Sequence, residues 1–135
     1  MLPGSGIEVE GMAGQLYFPC YLSFEAALSR FSVLNLVPYA LTFATTRKTK
    51  SMQLLGRLVE YRKITEELFG GFDSGDGYYI AKPEKAFLDL LYLAAYGKAS
   101  LPPQELDMGK LSRPVLAELS RRFPARVGKR LDGLL

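Results

Sequence analysis

The chain holds few of the residue types with which enzymes perform acid, base or nucleophilic chemistry. It contains no histidine and one cysteine, Cys20. Histidine is the usual general base near pH 7, the usual partner of a serine or cysteine nucleophile, and a common metal ligand. Cys20 follows Pro19 in an apolar stretch without a neighbouring base, which favours a buried thiol over a reactive one. The sequence therefore predicts a protein that is not an enzyme, with no catalytic residues and no cofactor.

Two acidic patterns match metal sites only in part. Glu60, Tyr61 and Arg62 resemble the Glu-x-Lys step of some restriction-type nucleases. That chemistry also needs an aspartate on a neighbouring strand to share the metal, and the first aspartate of the chain is Asp73. An ion pair across a sheet is the alternative interpretation of Glu60. The glycine-rich residues 73 to 77 depart from the ligand pattern of a calcium loop and favour a plain turn. No metal site is predicted.

Basic side chains supply the remaining candidate chemistry, which is binding. The first basic cluster lies at one predicted turn and the strand after it, and consists of Arg47, Lys48, Lys50, Arg57, Arg62 and Lys63. The second basic cluster lies within residues 110 to 135, which hold seven basic and two acidic side chains, and consists of Arg113, Arg121, Arg122, Arg126, Lys129 and Arg130. Such clusters suit nucleic-acid phosphates or an acidic protein surface. A purely solubilising role is the alternative for each.

Hydrophobic periodicity predicts the elements that carry these residues. Helical spacing of apolar residues follows Ser23 as far as Leu34 and predicts an amphipathic helix. The period then changes to two over residues 39 to 46, and two short strands follow at 52 to 55 and 57 to 64. Residues 78 to 81 can form one more. We therefore expect a small antiparallel sheet of about three to four strands, which begins as a meander.

The C-terminal half favours helices. Pro83 suits a first helical position and Gly97 suits a left-handed cap, so a core helix is predicted from Pro83 to Tyr96. Its wetter stripe would contain Lys85, Asp89, Tyr92 and Tyr96. Pro124 divides two short C-terminal helices, at 114 to 123 and 125 to 134. Strands grouped before helices indicate an α+β domain.

The first residues and the apolar stretches bear on domain organisation and location. Residues 1 to 14 contain four glycines without a hydrophobic period and predict a flexible lead-in to a folded domain of residues 15 to 135. No signal-peptide pattern follows Met1. The longest apolar stretch, Leu90 to Tyr96, is far shorter than the roughly 18 residues of a membrane span. We expect a cytoplasmic protein with no membrane partner.

Two stretches of the chain share a pattern with one known family. Residues 21 to 28 read Tyr-Leu-Ser-Phe-Glu-Ala-Ala-Leu, and residues 81 to 92 read Ala-Lys-Pro-Glu-Lys-Ala-Phe-Leu-Asp-Leu-Leu-Tyr. They resemble the opening and the Ala-Ser-Pro-Glu-Lys-Ala-Leu-Leu-Asp-Leu-Leu-Tyr helix of the C-terminal domain of AbiEi-type antitoxins, with Lys82 in place of a serine. Between them, the turn near Arg47, the Glu60 strand and Leu68-Phe69-Gly70 come in the expected order. The resemblance covers about residues 15 to 135.

This resemblance implies the antitoxin half of a type IV toxin–antitoxin system connected with phage abortive infection. The implied partner is a cognate nucleotidyltransferase-like toxin, and the family represses its own operon through an N-terminal winged helix. The residues before the match are too few for a winged helix. We therefore expect a non-enzymatic regulatory domain that neutralises the toxin and supports operon autoregulation, with DNA as a further partner. The alternative is a nucleic-acid-binding accessory domain of a transcription regulator, which acts through its basic residues.

Overall fold

A computed structural model describes residues 9 to 74 and 77 to 135 and gives an α+β architecture, in agreement with the class predicted from the sequence. The described α-helices are α1 (Val9–Leu16), α2 (Phe24–Arg30), α3 (Pro83–Ala95), α4 (Arg113–Ser120) and α5 (Ala125–Leu134). The strands are β1 (Cys20–Leu22), β2 (Ala40–Thr45), β3 (Lys50–Leu54), β4 (Arg57–Lys63), β5 (Phe72–Ser74) and β6 (Tyr79–Ala81). Single 3-10 turns occur at Glu66–Leu68, Pro103–Glu105 and Met108–Lys110.

The strands form one mixed sheet of six strands in the order β3-β4-β2-β1-β6-β5. β1 pairs with β2 in antiparallel fashion and with β6 in parallel, and β2 runs parallel to β4. The prediction of a small antiparallel sheet of three to four strands is therefore wrong. The hairpin of β3 and β4 forms, but β2 pairs with β4 in parallel and β3 lies at the outer edge, so the three strands do not follow one another as a meander.

Residues on the two faces of the sheet pack against different helices. On one face, the Phe43 and Tyr61 rings lie 5.5 Å apart, and the Tyr61 hydroxyl donates a hydrogen bond to the carbonyl oxygen of Ala13 in α1. The Tyr17 ring, just after α1, lies 4.8 Å from the Tyr61 ring. On the other face, Tyr21 of β1 points towards α3 and bonds Asp89. The sheet thus packs against α1 on one face and against α2 and α3 on the other.

The first helix corrects the predicted flexible lead-in. Residues 1 to 8 lie outside the described residues, but residues 9 to 14 belong to α1, and Ala13 is fully buried. Two glycines, Gly11 and Gly14, weakened the helical signal of this segment. A Cβ on Gly14 would make an ordinary van der Waals contact, 3.5 Å from the Tyr78 Cβ. Packing against the sheet, and not intrinsic helix propensity, therefore stabilises α1.

The C-terminal helices pack on α3, which lies at the centre of the helical layer. Leu116 of α4 and Val127 of α5 are fully buried. With α1 included, the described chain has more helices than the predicted set of one N-terminal, one core and two short C-terminal helices. No described helix has the length and apolar character that crossing a membrane requires.

Candidate functional site

Four polar side chains meet between β1 and α3, and we name them the buried quartet. Tyr21 lies in β1, Ser23 follows it, and Lys85 and Asp89 lie one turn apart in α3. The Asp89 carboxylate accepts hydrogen bonds from the Lys85 ammonium at 2.6 Å and from the Tyr21 and Ser23 hydroxyls at 2.8 Å each. The Lys85 ammonium also donates to the Tyr21 hydroxyl oxygen at 2.8 Å. Each of the four side chains therefore bonds at least one other member of the quartet.

Burial dominates the electrostatics of the quartet. Asp89 is fully buried and Lys85 is 5% exposed, so the wetter stripe predicted for these two residues is wrong. Loss of water raises the pKa of Asp89, although Lys85 and the two hydroxyls oppose this shift. The same loss lowers the pKa of Lys85 against the effect of Asp89. The Asp89 carboxylate accepts hydrogen bonds from three donors. This geometry fits a Lys85–Asp89 pair in which both side chains are ionised.

The surroundings of the quartet leave little room for a substrate. The rings of Phe69 and Phe72 lie 5.0 and 4.8 Å from the Tyr21 ring. The cavity beside Lys85 has a volume of about 40 Å³, enough for very few water molecules. Throughout the described part of the chain, each buried side-chain nitrogen or oxygen has a hydrogen-bond partner. The quartet therefore acts to join β1 to α3.

The acidic residues near β4 form ion pairs. Arg62 donates to Glu25 of α2 at 2.8 Å and to Glu60, two residues away in β4, at 2.9 Å. Glu60 therefore forms an ion pair, but within its own strand and not across the sheet as the alternative interpretation had it. Among the residues that the structure describes, no group of three His, Cys, Asp or Glu side chains is placed to hold a metal ion. The predicted turn at residues 73 to 77 lies partly outside those residues.

The first basic cluster divides into paired and free side chains. The Arg47 guanidinium stacks 3.9 Å from the centre of the Tyr17 ring and donates to the Phe18 carbonyl oxygen at 3.4 Å. Arg62 is held by two carboxylates, as described above. The exposed side chains that form no ion pair within the described residues are Lys48, Lys50, Arg57 and Lys63. Within this second group, the Lys50 ammonium lies 5.2 Å from the centre of the same Tyr17 ring, whereas Lys48, Arg57 and Lys63 have no such aromatic contact among the described residues.

A cleft between the β3–β4 hairpin and the C-terminal end of α3 gathers part of this charge, and we name it the basic cleft. It has a volume of about 870 Å³ and is lined by Thr49, Lys50, Ser51, Glu60, Arg62, Lys63, Ile64, Thr65, Tyr92, Leu93 and Lys98. Lys98 and Tyr92 were absent from the predicted binding residues. Lys98 is an isolated cation in the sequence, so no local charge pattern marks it. Only the fold places it in the same cleft lining as Lys63.

The second basic cluster also has an internal role. Arg126 and Arg130 of α5 donate to the carbonyl oxygens of Ala95 and Ala94 at 3.5 and 3.4 Å. These carbonyls end α3, where the helix dipole favours positive charge. The Arg126 guanidinium lies 4.7 Å from the centre of the Tyr96 ring. The remaining exposed members are Arg113, Arg121, Arg122 and Lys129. No residue of this cluster belongs to the described lining of the basic cleft.

Comparison with known proteins gives no relative: no protein-family model matches the chain, and no curated protein or solved structure shows significant similarity to it. The likeness to the AbiEi-type domain therefore rests on the residues quoted from the sequence, and the roles that it implies stay predictions.

Proposed function

We propose that the chain is a non-enzymatic, cytoplasmic regulatory domain of antitoxin type, which neutralises a cognate nucleotidyltransferase-like toxin and supports autoregulation of its operon. The buried quartet carries this proposal. Tyr21 and Ser23 come from one stretch that resembles the AbiEi-type domain, and Lys85 and Asp89 come from the other, 64 to 68 positions away. The residues that carry the resemblance therefore act together as one structural unit, which supports a common fold for the two stretches.

The exposed cations supply the surface through which this domain would meet its partner. Lys48, Arg57 and Lys63 on the hairpin side, and Arg121 and Arg122 after α4, have side chains open to solvent. Positive charge of this kind steers association with an acidic protein surface and helps to select the partner. The quartet stabilises the fold, and these cations contact the toxin.

Co-expression with the neighbouring toxin gene tests the proposal. The wild-type chain should restore growth that the toxin alone prevents. The Lys48→Glu/Arg57→Glu/Lys63→Glu variant should restore growth less well, because it reverses charge on the contact surface without touching the quartet. Lys110→Glu, an exposed change outside both named clusters, is the control. Failure of the wild-type chain to restore growth, with normal expression and a folded circular dichroism spectrum, contradicts the proposal.

A second candidate function is binding of nucleic acid as an accessory domain of a transcription regulator. The observation that favours it is the placement of Lys63 and Lys98 in the lining of one cleft. In that case the dissociation constant for DNA should rise steeply with salt, and charge reversal at Lys63 should reduce the salt dependence. A mobility shift that is absent or insensitive to salt removes this candidate.

A further inference from the structure

The basic cleft has the dimensions of a small-molecule site. Its volume of about 870 Å³ falls within the range of about 300 to 1,000 Å³ that is typical of ligand pockets. Its walls come from separate parts of the chain: Lys50 begins β3, Lys63 ends β4 and Lys98 follows α3. A concave site of this size accepts a compact ligand, whereas an extended polymer would use a longer surface.

The charge of the lining selects a ligand with several negative charges. Arg62 is already compensated by Glu25 and Glu60. Lys50, Lys63 and Lys98 are exposed, and no ion pair among the described residues includes them. The Lys50 ammonium lies 5.2 Å from the centre of the Tyr17 ring, which leaves Lys63 and Lys98 as the free cations of the lining. Two ammonium groups in one cleft lining match a chain of phosphates, since each phosphate oxygen accepts charge-assisted hydrogen bonds.

Hydroxyl groups add neutral donors beside the lysines. Thr49 accepts a hydrogen bond from the backbone N–H of Lys63 at 3.1 Å, and this leaves the hydroxyl hydrogen of Thr49 free to donate. Ser51 and Thr65 line the same cleft and are exposed. Hydroxyl donors of this kind supplement ammonium groups in binding phosphate oxygens.

An aromatic side chain also lines the cleft. Tyr92 is partly exposed, and its ring packs 5.3 Å from the Tyr96 ring and 6.3 Å from the Phe123 ring. These contacts hold the Tyr92 ring in place on α3. A fixed aromatic ring next to phosphate-binding lysines offers a stacking surface for a nucleobase.

We propose that the basic cleft binds a nucleoside di- or triphosphate. Lys63 and Lys98 bind its phosphates, and Tyr92 stacks on its base. This inference uses the geometry of the cleft alone, so it does not depend on the function proposed above. Inorganic polyphosphate and single-stranded nucleic acid share part of this chemistry and are separate outcomes of the test.

Isothermal titration calorimetry of the full chain at low salt separates these ligands. ATP and ADP should bind, adenosine should not, and tripolyphosphate should bind roughly tenfold more weakly than ATP because it lacks the base. Adenosine that binds as tightly as ATP, or the absence of ATP binding at millimolar concentration, overturns the proposal. Equal affinity for tripolyphosphate and ATP also overturns it, in favour of inorganic polyphosphate. Tighter binding of a short oligonucleotide than of ATP overturns it in favour of nucleic acid.

Substitutions then locate the site. Lys63→Gln and Lys98→Gln should each weaken ATP binding roughly tenfold, while the matched change Lys129→Gln on α5 should leave it unchanged. Tyr92→Leu should weaken ATP binding and leave tripolyphosphate binding unchanged, with folding checked by circular dichroism. Equal losses in Lys129→Gln and Lys98→Gln would show general charge attraction and overturn the assignment to the cleft.

Discussion

The buried quartet and the basic cleft are both built from charged and hydroxyl side chains, yet they differ in how many of these groups have partners. In the quartet, Asp89 accepts hydrogen bonds from three side chains, and Lys85 donates to two oxygens. In the cleft, Lys63 and Lys98 are exposed and form no ion pair within the described residues. Complete pairing suits a group that stabilises a fold, and free charge suits one that binds a ligand.

This difference also explains why the types of these residues do not by themselves predict whether they stabilise the fold or bind a ligand. A lysine and an aspartate four positions apart on a helix form the quartet ion pair, and an exposed lysine after the same helix lines an open cleft. Burial separates the two cases, because a charge without water must find a partner inside the protein. Substitutions in the two regions should therefore have very different effects on stability.

The largest effect is expected from breaking the buried ion pair. Asp89→Leu leaves the Lys85 ammonium buried without its counter-charge and should lower the free energy of unfolding by about 3 to 5 kcal/mol, measured by urea denaturation. Lys85→Met should cost a similar amount. The double variant should lose less than the sum of the single losses, because it removes both charges. Strictly additive losses would mean that the two groups do not act as a pair.

Removal of one hydroxyl from the quartet should have an intermediate effect. Tyr21→Phe keeps the ring but removes the hydroxyl that donates to Asp89 and accepts the hydrogen bond from Lys85. This change should lower the free energy of unfolding by about 1 to 3 kcal/mol. Tyr92→Phe, on the wall of the cleft, is the matched control and should change stability very little. Equal losses in the two variants would remove the distinction between the regions.

The stability at alkaline pH tests the burial of an ionisable side chain that has no ionic partner, the thiol of Cys20. Burial raises the pKa of the Cys20 thiol from its ordinary 9.0 to about 12. The folded state thus holds this proton more tightly than the unfolded state, and the stabilisation present below about pH 9 is lost as the pH rises towards about 12. At pH 10 the loss due to Cys20 should be about 1 kcal/mol relative to pH 8.

Urea denaturation at both pH values, compared with Cys20→Val, isolates the contribution of this thiol. The thiol of the folded protein should also resist alkylation at pH 8, and become reactive in denaturant. An identical pH dependence of stability in the wild type and in Cys20→Val would contradict the assignment of this loss to the Cys20 thiol.

The smallest effects belong to the partly exposed and exposed charges. Arg62→Gln removes ion pairs with Glu25 and Glu60 and should cost about 0.5 to 1 kcal/mol, since solvent screens these groups. Lys98→Gln should stay within about 0.5 kcal/mol of wild type by urea denaturation. A larger loss at Lys98 than at Arg62 would reverse the order that burial predicts.

The sequence predicted those elements whose signals are local. The α3 helix has Pro83 at its start and Gly97 just past its end. The alternation over residues 39 to 46 located β2, although Leu41 to Thr45 are all buried and the strand has no exposed face. The three residues of β1 are all buried, so no alternation marks that strand. Parallel pairing of β2 with β4 joins segments that are separated by β3, and a periodicity within one segment contains no information about that neighbour.

The candidate sites show the same limit. The spacing of Lys85 and Asp89, four positions apart on a helix, indicates an ion pair. Their charge predicted that both side chains are exposed, whereas packing of α3 against β1 buries them. Lys50 and Lys63 were predicted as binding residues from their neighbours in sequence. Lys98 and Tyr92 join them through the fold alone, since the C-terminal end of α3 lies opposite the hairpin.

The central place of β1 in the sheet has a consequence for the order of folding. The strands β2, β3 and β4 can pair with one another from a contiguous segment, whereas β5 and β6 reach them only through β1. The contact between Leu22 and Ile80 closes a long loop, and such contacts form late because the chain must first lose the entropy of that loop. During synthesis on the ribosome, the hydrophobic strand β1 therefore has no partner on its β6 side until residue 81 has emerged.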